Sequence, residues 1–232
     1  MSKITAAAED YLKEIYTLCT HYEKASTSEI AARLGIQSAS VTNMIQKLSQ
    51  TEPPLVNYQK NLGVTLTEAG RKAALNIFRR HRLLEVYLYE KLNYAWDEVH
   101  EEAEKLEHVA SPKMINQIAA VLGNPTHSPH GHPIPSPDLM MPIMQEMPLT
   151  DLSPSVDATI QRVRDRDANL LRYLAQHNLN LGTDITVQKK LTDGAMHILV
   201  KGEIHKPVRL TASMAQQIFV NKSPEGSELP GR

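Results

Sequence analysis

Apolar residues recur at helical spacing over the first half of the chain and turn to strand-like alternation over the last third. Within residues 5–21, Ala8, Tyr11, Leu12, Ile15, Leu18 and Cys19 form one buried stripe, and Asp10 lies off that face. Ser26 and Glu29 have the spacing of a capping box, which predicts a helix over 27–34 with Ile30, Ala31 and Leu34 inward. Gly35 ends that helix. After the turn 36–38, Ser38 is placed to cap a third helix over 39–49 that buries Val41, Ile45 and Leu48. Pro53-Pro54 interrupts the pattern, and 55–59 and 63–66 read as short strands joined by Lys60-Asn61-Leu62. Thr67 then caps a long helix from 68 to about 91, whose Leu83, Leu84, Tyr87, Leu88 and Leu92 need a packing partner. A helix over 97–110 buries Val99, Ala103, Leu106 and Ala110, and another over 114–122 carries an apolar face suited to packing between subunits.

Residues 124–155 change character, being rich in Pro, Met and Ser, and read as a linker without long regular elements. Its His127, His130 and His132 lack an evident scaffold to fix a ligand geometry. From Val156 several short strands are predicted, at 156–164, 185–191, 196–200, 208–210 and 218–220, with short helices at 167–176 and 213–217. That many strands in so short a segment fit a small barrel.

A helix, a short Gly-containing turn and a second helix make a helix-turn-helix, and the hairpin after it makes a wing. The second helix of such a unit enters a major groove with its N-terminal residues against the bases. Gln37, Ser38, Ser40, Thr42, Asn43 and Gln46 face outward there and suit base edges, while Lys47 suits a phosphate and Lys60 sits in the wing. The pattern also fits any three-helix domain with a hairpin; the order helix, helix-turn-helix, wing and long helix favours the DNA-binding reading. Arg71, Lys72, Arg79, Arg80 and Arg82 form either a phosphate-facing strip or a solvated basic face.

The formal net charge of −1 means that nucleic-acid binding must rest on a local basic patch. No run approaches the ~20 apolar residues of a membrane span, and the opening MSKITAAAEDY lacks the apolar core of a secretory signal, so a cytoplasmic location is expected. The single Cys19 excludes an internal disulfide and reads as core.

The stretch DEVHEEAEKLEHVA carries the strongest chemistry. Beside its apolar stripe, His100, Glu104, Glu107 and His108 share an arc, and the spacing of the last three lets them converge. Two carboxylates and an imidazole aimed at one point suit manganese or iron(II), although the same letters also spell a solvated acidic face. His81 and Glu85, at i and i+4 on the preceding helix, form a second ligand pair.

The stretches AAAEDYLKEIYTL, SVTNMIQKL, GVTLTEAG, RRHRLLEVYL, VHEEAEKLEHVAS and HGHPIPSP, in this order, resemble the diphtheria-toxin-repressor family of metal-dependent transcriptional regulators over almost the whole chain. The resemblance implies a mostly α fold with small β: a winged helix-turn-helix DNA-binding domain over 1–70, a helical metal-binding and dimerisation domain over 71–125, a Pro-rich linker over 126–155, a C-terminal SH3-like (FeoA-like) β-barrel over 156–222 and a disordered tail over 223–232. Two adjacent metal sites are implied, one from Asp10, Glu104, Glu107 and His108, the other from His81, Glu85 and His100. The second gains ligands near Asp165, Asp167 or Asn169 by loose alignment, of which Asp167 is chosen. Iron-type members typically place Met and Cys where Asp10 and Glu104 stand, so carboxylates at both positions favour Mn(II) over Fe(II), with two ions per subunit. Lys13 stands where shorter manganese regulators place a second Glu, so their paired-metal geometry is not carried over.

The implied function is a non-enzymatic repressor of metal-ion homeostasis genes, a homodimer on a double-stranded operator with the ion as corepressor. In that scheme clustered carboxylates repel when the ion is absent, and the ion ties the reading head to the dimerisation helices. Three alternatives remain: a winged-helix regulator sensing an organic ligand, a di-metal carboxylate enzyme, and a purely structural metal.

Overall fold

A computed structural model describes residues 4–60, 62–202 and 207–222. The expected disordered tail and Asn61 in the wing lie outside the described residues. The chain divides into two compact units: residues up to Leu84 with Ala103–Thr126 and Ile134–Pro142, and Glu85–Glu102 with His127–Pro133 and the chain from Ile143 onward.

In the first unit, α1 (Ala6–Cys19) is capped by Thr5, whose hydroxyl accepts from the Ala8 amide. The capping box forms as the spacing predicts: Ser26 accepts from the Glu29 amide, and the Glu29 carboxylate returns to the Ser26 amide, opening α2 (Thr27–Leu34). Gly35 takes φ 66° at the end of α2, a left-handed turn that costs glycine no Cβ clash. One correction concerns α3 (Ser38–Ser49): Ser38 is its first residue rather than its cap, and Gln37 precedes it without a side-chain capping bond. Strands β1 (Val56–Gln59) and β2 (Gly63–Leu66) pair antiparallel as the wing. Thr67 caps α4 (Glu68–Leu92), accepting from the Gly70 amide. Leu12, Ile15, Ile30, Val41, Ile45, Val64, Ala74 and Ile77 close one core beneath α1 to α3, the wing and the start of α4.

The helix predicted over 97–110 is shorter: α5 runs Val99–Glu107, leaving His108 just beyond it. Ser111 caps α6 (Pro112–Val121) by accepting from the Met114 amide, with Pro112 in the first turn, where its missing N–H costs nothing.

In the second unit, β3 (Met147–Pro148), β4 (Asp157–Val163), β5 (Asp184–Lys190), β6 (Met196–Val200), β7 (Val208–Leu210) and β8 (Ile218–Lys222) form one antiparallel sheet in the order β3-β8-β4-β5-β6-β7. Its register shifts at Ile160/Arg162 and at Val187/Lys189, irregularities that sharpen local twist. With α7 (Ala168–Gln176) and α8 (Ala212–Ala215), it encloses Leu149, Leu152, Ile160, Leu170, Leu174, Ile185, Val187 and Ile198.

The Pro-rich segment is more structured than its composition predicts. Ser128, His130 and Ile134 are buried, and His127 and Pro133 are bridged. Gly131 lies so close to β4 that a Cβ there would meet the Gln161 carbonyl oxygen at 2.1 Å, so this turn packs only as glycine. Among the described residues no helix is long and apolar enough to cross a membrane.

Candidate metal centres and recognition helix

In the first unit, Asp10 from α1, Glu104 and Glu107 from α5, and His108 after it each present a donor atom, all within 4.8 Å of one another. Glu107 is fully buried and the other three are half-buried. His108 Nε2 lies 3.1 Å from Asp10 Oδ1 and 3.5 Å from Glu107 Oε1, while its Nδ1 lies 2.7 Å from Glu9 Oε2. Three carboxylates and one imidazole nitrogen make an oxygen-rich donor set of the kind a manganese-class ion accepts, so the residues present fit such an ion.

The mutual repulsion expected of these carboxylates is relieved within the chain. Lys13, 5% exposed, reaches across from α1 and donates to Glu104 Oε1 and Glu107 Oε1, both at 2.8 Å. Burial pulls the Lys13 pKa down, but the two carboxylates outweigh it and raise it above the usual lysine value. Burial likewise pushes Glu107 up, yet His81, with Nδ1 at 2.5 Å from Oε2, and Lys13 hold it below the usual carboxylate range. Asp10 goes the other way: burial raises its pKa, and His108 and Lys13 offset this only in part. The position that the resemblance marks as a departure therefore supplies the internal cation of the cluster.

In the second unit, Glu85, His100 and Asp165 offer donor atoms within the same 4.8 Å limit. His100 Nδ1 lies 3.3 Å from Glu85 Oε1 and 3.5 Å from Asp165 Oδ2. Burial lowers the His100 pKa, but Asp165 and Glu85 reverse this and push it up to about 10. Desolvation pushes half-buried Asp165 up, but His132 and His100 hold it far below the usual carboxylate range. His81, predicted with this set, stands one turn before Glu85 on α4.

Two expectations change here. Asp167 is not in the cluster: its Oδ1 accepts from the Asn169 and Leu170 amides at 3.0 and 3.1 Å and caps α7, while Asp165 takes the cluster position. The signal was in the sequence, since an Asp directly before an apolar-periodic helix is a cap. His130 and His132 also have a scaffold after all. His132 Nε2 lies 3.4 Å from Asp165 Oδ2, and fully buried His130 places Nδ1 3.6 Å from Glu85 Oε1. His130 Nε2 lies 2.8 Å from the Trp96 carbonyl oxygen, to which it donates, and its Nδ1 has no hydrogen-bond partner. A buried ring nitrogen facing a carboxylate without a hydrogen bond between them is a pairing that a cation would satisfy.

Gln37 before α3, and Ser38, Ser40, Asn43, Gln46 and Lys47 on it, are exposed, as is Lys60 in the wing. Thr42 is half-buried and donates its hydroxyl to the Ser38 carbonyl. The basic residues of α4 do not act as one strip. Arg71 and Lys72 are exposed, whereas buried Arg79 donates to the Pro135 carbonyl and Arg80 pairs with Glu9 at 2.6 Å. Cys19, half-buried with burial pushing its thiol up, is core as expected.

Comparison with known proteins supports this layout. Residues 3–64 match the iron dependent repressor N-terminal DNA binding domain, residues 67–136 the iron dependent repressor metal binding and dimerisation domain, and residues 147–222 the FeoA domain. The iron-dependent repressor IdeR of Mycobacterium leprae is 31% identical over 235 residues, covering 96% of this chain and all of that protein. A manganese-dependent transcriptional repressor solved with manganese superposes with a TM-score of 0.86 at 37% identity, over 93% of this chain and 100% of that one. The manganese regulator SloR gives 0.75 at 34% identity, over 93% and 98%. With the DNA-binding, the metal-binding and dimerisation, and the FeoA models matched in order along the chain, and 31% identity to a repressor over 96% of it, the chain belongs to the iron-dependent repressor family, the family of the diphtheria toxin repressor.

Proposed function

We propose that this protein is a transcriptional repressor that binds its DNA operator as a homodimer in response to Mn(II), with Fe(II) as the weaker corepressor. The observation that carries the reading is the first cluster, in which Asp10 of the DNA-binding helices meets Glu104, Glu107 and His108 of α5 and its end. When bound, the ion supplies a double positive charge that the carboxylates and the imidazole can share. Asp10 and Lys13 hold α1 to that place, Glu104 and Glu107 hold α5, and the α3 row from Gln37 to Lys47 is presented outward. Dimeric repressors of this build set two such helices into successive major grooves about 34 Å apart. The oxygen-rich donor set supports Mn(II) over softer ions. Glu85, His100 and Asp165, with His132 beside them, support a second ion per subunit. A di-metal enzyme would leave the exposed α3 row without a role.

The test is operator binding by metal-stripped protein titrated separately with Mn(II), Fe(II) and Zn(II). Tight binding is expected only with added ion, at the lowest concentration for Mn(II), and is expected to be lost in Glu107→Ala and His108→Ala. Equal grip by the stripped protein would overturn the reading.

A further inference from the structure

Glu9 is adjacent to a candidate ligand but is not one itself. Its carboxylate is 13% exposed, with Oε1 accepting from Arg80 Nη2 at 2.6 Å and Oε2 2.7 Å from His108 Nδ1. A carboxylate bonded in this way only accepts, so the short contact requires the proton on Nδ1. The opposite ring nitrogen, Nε2, then points at Asp10 and Glu107, 3.1 and 3.5 Å away. We propose that Glu9, anchored by Arg80, is a positioning residue that locks His108 with its proton on Nδ1 and so reserves Nε2 for the metal. The proposal rests on the reading of the first cluster as a metal centre.

The arrangement has a directional consequence. In Glu9→Gln the amide keeps the shape, but its NH2 must face either Arg80 or His108. Arg80 can only donate, so it takes the amide oxygen, and the NH2 turns to His108 Nδ1. Nδ1 must then accept, the ring proton moves to Nε2, and the nitrogen reserved for the ion is blocked. Gln is therefore worse than Ala at this position, an order that loss of packing alone would not give. Removing Arg80 as well frees the amide to turn its oxygen back to His108.

The experiment has two readouts. In metal-free protein, long-range 1H–15N spectra of the histidine rings report which nitrogen carries the proton, with His108 assigned by its loss in His108→Asn. An Nδ1–H ring is expected in the wild type and an Nε2–H ring in Glu9→Gln. Mn(II) binding is then followed by the free-ion EPR signal in proteins that all carry Asp165→Asn, so that the first cluster alone titrates. Outer partners of metal-bound histidines typically contribute about 10- to 100-fold in affinity. A loss of that size is expected in Glu9→Gln, a smaller one in Glu9→Ala, and substantial recovery in Glu9→Gln/Arg80→Met. A wild-type ring protonated on Nε2 alone overturns the proposal and needs no variant to fold. Glu9→Gln binding Mn(II) as well as Glu9→Ala does so too. Unchanged Mn(II) binding in His108→Ala would remove the metal-centre reading instead, and that outcome is separate from the tautomer result.

Discussion

The two acidic-histidine clusters solve the same electrostatic problem with different cations. In the first, Lys13 sits between Glu104 and Glu107 as a permanent ammonium, its pKa raised further by both. In the second, the carboxylates of Glu85 and Asp165 are answered by imidazoles, His100 foremost, whose charge depends on a proton. Buried carboxylates at such spacing repel strongly in a low effective dielectric, so each set needs a positive partner before any ion arrives. The first cluster is consequently insensitive to pH in its internal cation, and the second is not.

The largest effect is expected from removing the group that the first cluster shares. Glu107→Ala leaves Lys13 and His81 without a fully buried carboxylate that both contact. Breaking a buried pair from one side costs roughly 3–5 kcal/mol, so chemical denaturation of the metal-free protein should show a loss of that order. A loss under about 1 kcal/mol would mean that the pair is solvated in solution.

Lys13→Met sharpens the contrast next. An ammonium and a unit charge ~4 Å apart interact by about 4 kcal/mol at an effective dielectric of ~20. Removing the ammonium should therefore lower the melting temperature of the metal-free protein and tighten Mn(II) at the first cluster tenfold or more. The same substitution should leave the second cluster unaltered. Calorimetric titration and thermal melts decide, and weaker Mn(II) binding in a folded Lys13→Met would show that the ammonium supports the ion rather than stands in for it.

A milder difference lies in pH. His100 rises from 6.5 to about 10, so the stability it contributes to the metal-free protein is complete below about pH 6.5 and is withdrawn as pH climbs towards 10. An ion entering the second cluster must expel that proton, so its affinity should increase over the same window. Metal titrations between pH 6.5 and 8.5 in Asp165→Asn, which keeps the first cluster, and in Glu107→Ala, which keeps the second, should give the steeper rise in the latter. Equal slopes would erase the distinction.

The smallest effect concerns the two neighbouring aspartates. Asp167→Ala should cost about 1 kcal/mol of stability through the α7 cap and leave metal binding intact. Asp165→Asn should instead impair metal binding at the second cluster, and a metal defect in Asp167→Ala would restore the assignment made from sequence.

Much of the fold was legible because its signals are local. The capping box at Ser26 and Glu29, the left-handed Gly35 and the helical stripe through Leu12 and Ile15 act within a turn or two of chain. Errors came where a local signal was weighed against a distant one. By its letters Ser38 suits a cap, whereas it is the first residue of α3, and the 128–133 turn reads as loose because its partner, β4, lies some thirty residues on.

By itself the sequence determined the winged-helix order, the α5 arc of Glu104, Glu107 and His108, and the family to which they belong. Periodicity and spacing encode which side chains share a face, and that needs no knowledge of what the face meets. Only the tertiary structure decided that Lys13 lies between Glu104 and Glu107, that Glu9 joins Arg80 to His108, and that Asp165 rather than Asp167 faces His100. These are contacts between residues separated by some sixty to one hundred positions, set by how helices and strands pack, and hydrophobic patterning carries no term for where a buried charge will find its partner.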